Sequence, residues 1–143
     1  MKIVIASDHG GFTLKNQVAE HLKERGIEVE DLGTYTEDSV DYPIYGKKCA
    51  EAVASGQGDL GMVFCGTGIG ISIAANKVRG IRCALCTSTE MASFAKRHNN
   101  ANMLALGGRT TPVELANRIT DIWLDEEFEG GRHARRVGEL DEM

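Results

Sequence analysis

Short apolar runs alternate with amphipathic stretches along the chain. Runs of four to six mostly apolar residues are typical of strands in a parallel sheet, because such strands are buried on both faces. Runs of this kind predict five strands. They are Lys2 to Ser7, Ile27 to Leu32, Leu60 to Cys65, Arg82 to Cys86 and Met103 to Leu106.

The stretches between these runs have the spacing of helices that pack against a sheet. Over residues 12–25 apolar side chains recur at every fourth position, and Gly26 follows where a left-handed C-terminal cap belongs. Before a later helix, Thr111 supplies a cap hydroxyl and Pro112 occupies the first helical position. The predicted helices cover Phe12 to Arg25, about Tyr45 to Ala54, Ile73 to Lys77, a segment from Met91 that closes at Arg97 to Asn100, the residues after Thr111, and about 129–143.

Strands that alternate with helices predict a parallel sheet covered on both faces. We expect a three-layer, Rossmann-like α/β fold whose five parallel strands follow the flavodoxin-like order 2-1-3-4-5. No repeat, low-complexity tract or linker interrupts the 143 residues, so a single domain over residues 1–143 is predicted. Ligands of such sheets bind where the strand order reverses, which here means the carboxyl ends of strands 1 and 3.

Composition disfavours several classes of partner. Sixteen basic residues against 21 acidic ones give a net charge of -5, which argues against a nucleic-acid partner. The chain enters its first strand at Lys2, too early for a signal peptide, and no apolar run has the length of a membrane span. We expect a cytoplasmic protein without a membrane partner.

The four cysteines are expected to be reduced thiols in such a chain. Cys83 and Cys86 form a CxxC pair, but on a strand their side chains point to opposite faces, and no second Cys/His pair completes a zinc site. We interpret them as core residues, with redox sensing as a weaker alternative. Cys49 is likewise interpreted as a buried core residue.

A glycine-rich segment follows the third strand, from Cys65 to Ser72. Alternate glycines before a helix present free amides and the positive end of a helix dipole, which together bind an anion. The spacing is GxGxG rather than GxGxxG and follows the third strand, which disfavours a dinucleotide site. A thiolate at Cys65 would be stabilised there and could act as a base, although a buried, inert cysteine fits its immediate neighbours too.

Two further groups of polar residues suggest chemistry. Asp8 and His9 end strand 1, beside Cys65 if the strand order is right, although such a pair also occurs in plain turns. Arg132 and Arg136 share one helix face and suit a terminal phosphate, but they also suit a solvated helix end that pairs with nearby acids.

With these segments laid out, the chain resembles type B ribose 5-phosphate isomerases. Their family also contains allose 6-phosphate isomerases and galactose 6-phosphate isomerase subunits. The resemblance runs nearly end to end and rests on six segments in order. They are Ser7 to Phe12, Asp41 to Pro43, Cys65 to Lys77, His98 to Asn102, Leu106 to Arg109 and Glu129 to His133.

The resemblance implies a homodimer, or a dimer of dimers, whose pockets are lined by both subunits, with the C-terminal helix at about 129–143 contacting the partner. It implies that Cys65 moves a proton between C1 and C2 of the sugar. The enediolate oxyanion would be held by backbone amides. Those amides belong to Gly66, Thr67, Gly68, Ile69 and Gly70.

The resemblance assigns the remaining roles by position. His98, from the partner subunit, would open the furanose ring, aided by Asp8 and the hydroxyl of Thr67. Without this resemblance, His98 and Asn99 are equally well explained as the C-terminal cap of a helix. Asn99 would hydrogen-bond sugar hydroxyls. The phosphate would be held by His9, Arg109, Arg132 and Arg136.

Some members of the family place a glutamate base where this chain has Ile71, so Cys65 is the candidate base on this loop. No cofactor or metal is expected, because an enediolate route requires a base, an oxyanion site and acids for two oxygens. Ribose 5-phosphate is the expected substrate. Two alternatives stay open: a hexose 6-phosphate substrate (allose or galactose), and a phosphate or nucleotide sensor without turnover.

Overall fold

The computed structural model of the chain describes residues 1–143. Its strands form one five-stranded sheet in which every neighbouring pair is parallel. The strands are β1 (Lys2–Ser7), β2 (Glu28–Asp31), β3 (Leu60–Cys65), β4 (Cys83–Leu85) and β5 (Met103–Gly107). The helices are α1 (Phe12–Glu24), α2 (Tyr42–Ala54), α3 (Ile69–Asn76), α4 (Thr89–Arg97), α5 (Val113–Asp125) and α6 (Arg132–Asp141). The predicted α/β fold with a parallel sheet is confirmed.

The helices form one layer on each face of the sheet. On one face, α1, α4 and α5 bury apolar residues such as Leu22 and Trp123 against the strands. On the other face, α2 and α3 bury Cys49 and Ile71. Full burial of a side chain the size of leucine or isoleucine contributes about 1.5–3 kcal/mol, so these two layers are what hold the strands together.

The predicted strand order is wrong at its last two positions. The observed order is β2-β1-β3-β5-β4, so β5 lies inside the sheet and β4 at its edge. All five residues of β5 are buried, whereas the three residues of β4 are half-buried, and the more completely apolar strand takes the interior position. Right-handed crossovers permit this order, because α3 and α4 connect β4 across opposite faces of the sheet.

Two predicted helix starts also need correction. Helix α3 begins at Ile69 rather than at Ile73, so Gly70 lies within its first turn. Thr111 makes no capping hydrogen bond, and Pro112 is the N-cap of α5 with an extended ψ of 149°. The predicted cap after α1 is confirmed, since Gly26 has the left-handed φ of 78°.

The CxxC pair behaves as the strand geometry predicts. Cys83 packs against the α2 and α3 side of the sheet and Cys86 lies in the core on the opposite side. Both thiols are free, so the redox alternative gains no support. None of the helices combines the length and the apolar character needed to cross a membrane.

Candidate active site

The carboxyl ends of β1, β3 and β5 meet at one edge of the sheet, and the loops that follow them touch backbone to backbone. A Cβ on Gly10 would lie 3.0 Å from the amide nitrogen of Gly66, and one on Gly108 would overlap the carbonyl oxygen of Gly10. Glycine is required at these positions because a side chain would push the loops apart. The packing therefore brings three separate sequence segments into one site.

A cavity of about 470 Å³ opens at this edge of the sheet. Its lining comes from the loops after β1, β3 and β5 and from the first turns of α2 and α3. The lining residues are Asp8, Tyr42, Cys65, Gly66, Thr67, Ile69, Gly70, Ile73 and Arg109. The structure thus brings seven of the predicted site residues together. They are Asp8, Cys65, Gly66, Thr67, Ile69, Gly70 and Arg109.

Cys65 is the last residue of β3 and is only 5% exposed. Its Sγ accepts a hydrogen bond from the amide of Gly68 at 3.1 Å. Gly68 adopts a φ of 79°, a conformation that suits glycine, and this turn points its N–H back at the sulfur. An amide donor and the N-terminus of α3 beside the sulfur both stabilise a thiolate.

The other cysteines lie in different surroundings. Burial raises the pKa of Cys49 and of Cys86 to about 12. Burial also raises the pKa of Cys83 well above its usual range. Desolvation disfavours the charged form of a thiol, so these three remain protonated at neutral pH. Cys65 is the cysteine that combines a cavity with an amide donor.

Asp8 and His9 are fixed by the turn that joins β1 to α1. The buried Asp8 carboxylate accepts a hydrogen bond from the Gly11 amide at 3.1 Å, and the Asp8 amide donates to the Phe64 carbonyl. The Val40 amide donates to Nδ1 of His9 at 3.2 Å, so Nε2 carries the proton of the neutral ring. Asp8 lines the cavity, whereas His9 is not among its lining residues.

Arg109 reaches the cavity because β5 pairs directly with β3. Cys65 lies opposite Gly107 in the ladder, and the Arg109 amide donates to the Gly66 carbonyl at 2.9 Å. The guanidinium lies over Gly66, where an added Cβ would be 2.9 Å from one of its nitrogens. The corrected strand order therefore places a permanent cation at the glycine loop.

Besides His9 and Gly68, four predicted site residues do not line this cavity within one chain. His98 ends α4 and stacks on His133, with ring centroids 4.3 Å apart, and Asn99 lines a separate cavity of about 520 Å³. Arg132 and Arg136 are exposed on α6. They form no ion pair with Glu139 or Asp141, which removes the support for that alternative.

Comparison with known proteins gives this geometry its context. Residues 3–140 match the protein family described as Ribose/Galactose Isomerase. The chain belongs to this family. The resemblance found in the six sequence segments is thereby confirmed.

Individual members of the family are similar over nearly their whole length. Ribose-5-phosphate isomerase B of Escherichia coli (strain K12) is 49% identical over 136 residues, which are 95% of this chain and 91% of that protein. The structure of ribose-5-phosphate isomerase B from Clostridium thermocellum has a TM-score of 0.98 at 59% identity and covers 99% of this chain and 96% of its own. The chain is accordingly an isomerase.

A third relative was solved with a ligand. Ribose-5-phosphate isomerase B from Mycoplasma genitalium, with bound ribulose-5-phosphate, has a TM-score of 0.93 at 43% identity. The match covers 99% of this chain and 94% of the other.

Two residues that line the cavity had no role assigned from the sequence. Tyr42 lies in the Asp41 to Pro43 segment that supports the family resemblance. Its ring packs against Gly70, where an added Cβ would lie 2.6 Å from a ring carbon. Ile73 lies one turn after Ile69 on α3. The presence of Asp41 to Pro43 among the six family segments was the available signal for Tyr42. For Ile73 the signals were its place in the Cys65 to Lys77 family segment and its helical spacing from Ile69.

Proposed function

We propose that the protein interconverts ribose 5-phosphate and ribulose 5-phosphate through an enediolate, with Cys65 as the base. The observation that carries this proposal is the Cys65 sulfur, which faces a cavity and accepts the Gly68 amide at 3.1 Å. An amide that donates to a sulfur anion stabilises it, and at the wall of a cavity that anion can take a proton from a bound substrate.

The proton balance of the reaction follows from these groups. The Cys65 thiolate takes the proton from C2 of the open-chain aldose, and the electron pair moves onto O1 to give an enediolate. Amides of the turn from Gly66 to Gly70 stabilise that oxyanion, aided by the dipole of α3. The thiol returns the proton to C1, O1 gains a proton, and the hydroxyl on C2 loses one to become the ketone carbonyl.

A second copy of the chain completes the site in this proposal. Three groups that the reaction requires do not line the cavity of one chain. They are the ring-opening acid His98, at the end of α4, and the phosphate ligands Arg132 and Arg136, on α6. Apolar side chains at the cavity support a covering partner, because Ile69 and Ile73 expose 52% and 56% of their surface. The partner's α4 and α6 would then supply the missing groups.

Replacement of Cys65 by alanine tests the role of the base. We expect Cys65→Ala to lose at least about a thousandfold in kcat while it still binds ribose 5-phosphate, since binding depends on other groups. Cys83→Ala is the matched control, because that thiol does not line the cavity. Retention of turnover by Cys65→Ala would refute the mechanism, whereas a sensor would bind ribose 5-phosphate equally well in both proteins and turn it over in neither.

The substrate is tested by steady-state kinetics on ribose 5-phosphate, allose 6-phosphate and galactose 6-phosphate. We expect the highest kcat/KM with ribose 5-phosphate, as the names of the similar proteins suggest. A clear preference for either hexose phosphate would leave the family and the chemistry in place and replace the substrate.

A further inference from the structure

A compact cluster of side chains surrounds His98. Its ring lies between that of Phe94, 4.8 Å away on the preceding turn of α4, and that of His133, 4.3 Å away on α6. The His98 and His133 rings are parallel to within 7°. His98 is therefore in contact with rings from two different helices, one tilted and one stacked.

Glu129 lies at the edge of this stack. Its backbone amide donates to the Arg97 carbonyl at 3.0 Å, and its Oε2 accepts from Arg97 at 2.7 Å, which fixes the segment before α6 to the end of α4. The other carboxylate oxygen, Oε1, is 3.7 Å from Nε2 of His98 and 3.6 Å from Nε2 of His133. One oxygen thus anchors the side chain and the other faces both imidazoles.

These residue types also occur in metal sites, but the stack disfavours that use. A zinc ion binds imidazole nitrogen at about 2.1 Å and close to the plane of the ring. Two parallel rings whose centroids are 4.3 Å apart cannot both contain the same ion in their planes. The stacked rings and the Glu129 carboxylate are suited to fixing the orientation of His98 rather than to binding a metal ion.

Glu129 places a carboxylate beside His98. The hydrogen bond from Arg97 holds the pKa of Glu129 below its usual range, so the carboxylate stays ionised near neutral pH. Burial lowers the pKa of His133, aided by His98 and by Arg132 and Arg136 on α6. Nε2 of His133 is buried without a hydrogen-bond partner, so that ring is a neutral neighbour in the stack. The Glu129 carboxylate, 3.7 Å from Nε2 of His98, can then interact with that ring when it carries a proton.

We propose that Glu129 is a positioning residue, which, with the ring of His133, holds His98 in the orientation needed to give a proton to the furanose ring. This inference rests on the proposed function. In that step His98 gives a proton to the ring oxygen O4, the C1–O4 bond breaks, and the C1 hydroxyl loses its proton to become the aldehyde. Glu129 does not line the cavity of its own chain and would act through His98.

Two assays separate ring opening from the proton transfer at carbon. Turnover of ribose 5-phosphate requires both steps. Exchange of the C1 hydrogen of ribulose 5-phosphate with D₂O requires the base alone, because phosphate occupies O5 and this ketose has no furanose ring to open. We expect Glu129→Gln to lower kcat for ribose 5-phosphate about tenfold, a part of what a general acid supplies, with KM unchanged and C1 exchange within twofold of wild type.

Glu126→Gln is the matched control. Glu126 also lies between α5 and α6 and bonds to α4 through Ser93, but it does not contact His98. Its turnover and exchange should both equal those of wild type. Unchanged turnover in Glu129→Gln would overturn the inference, and so would an equal fall in turnover and exchange. Absence of both activities in the wild type would instead refute the proposed function.

Discussion

Lys15 offers a test of how the structure around the site is held. This lysine lies on α1 and is fully buried. Its ammonium donates to the Asp31 carboxylate at 2.8 Å and to the Thr34 carbonyl at 2.5 Å, and it lies 5.3 Å from the ring of Phe12. These contacts fix the segment after β2, whose Thr34 amide bonds back to the end of β1 at Ser7.

The effect of Lys15→Met follows from what each partner loses. The Thr34 carbonyl would remain buried without a donor, which costs about 1–3 kcal/mol. Asp31 is one-third exposed and regains water, so the lost ion pair adds only about 1 kcal/mol. The methionine fills the space of the lysine stem, so no cavity term is added. We expect a loss of about 3 kcal/mol in the free energy of unfolding.

Urea denaturation at one fixed protein concentration measures this loss. With a slope of about 2 kcal/mol per molar urea, the midpoint should fall by about 1.5 M. Lys23→Met is the control, because Lys23 lies on the same helix with its side chain 56% exposed and pairs only with Glu20 at 3.6 Å. A Lys15→Met midpoint that coincides with that of Lys23→Met would refute the reasoning.

Two further predictions concern the glycine turn and its thiol. Gly68→Ala should lower kcat at least tenfold in steady-state assays, because its φ is 79° and its Cβ would lie 2.7 Å from Leu85; wild-type activity would show that the turn tolerates a side chain. In iodoacetamide labelling at pH 8, read by peptide mass spectrometry, Cys65 should react before Cys49 and Cys86. Their pKa of about 12 leaves only about one thiol in ten thousand ionised, and faster labelling of either would contradict the assignment.

The parts of the site that depend on local pattern were predictable from the sequence. The alternate glycines after β3 and the Asp8–His9 pair after β1 each end an apolar run, and adjacent parallel strands bring such ends together. The position of Cys65 beside an amide donor follows from the same pattern. These features can be predicted from the order of the elements along the chain and from the reversal of the strand order between β1 and β3.

The remaining parts depend on contacts between distant segments. The choice between β4 and β5 for the interior position depends on how completely each strand is buried, and both runs are apolar in sequence. Lys15 would be placed on a solvated face by its charge, yet acceptors from a separate loop allow its burial. Glu129 meets His98 only because the segment before α6 bonds to the end of α4, which no periodicity within either helix reveals.

The interior position of β5 also affects how the chain acquires its shape during synthesis. The ribosome releases β4 before the strand that must separate it from β3. Until residues 103–107 emerge, β3 has an unpaired edge and β4 has no neighbour to bond. The sheet therefore closes only after β5 has emerged, and Arg109, only two residues beyond β5, reaches the glycine loop after β3 in the same event.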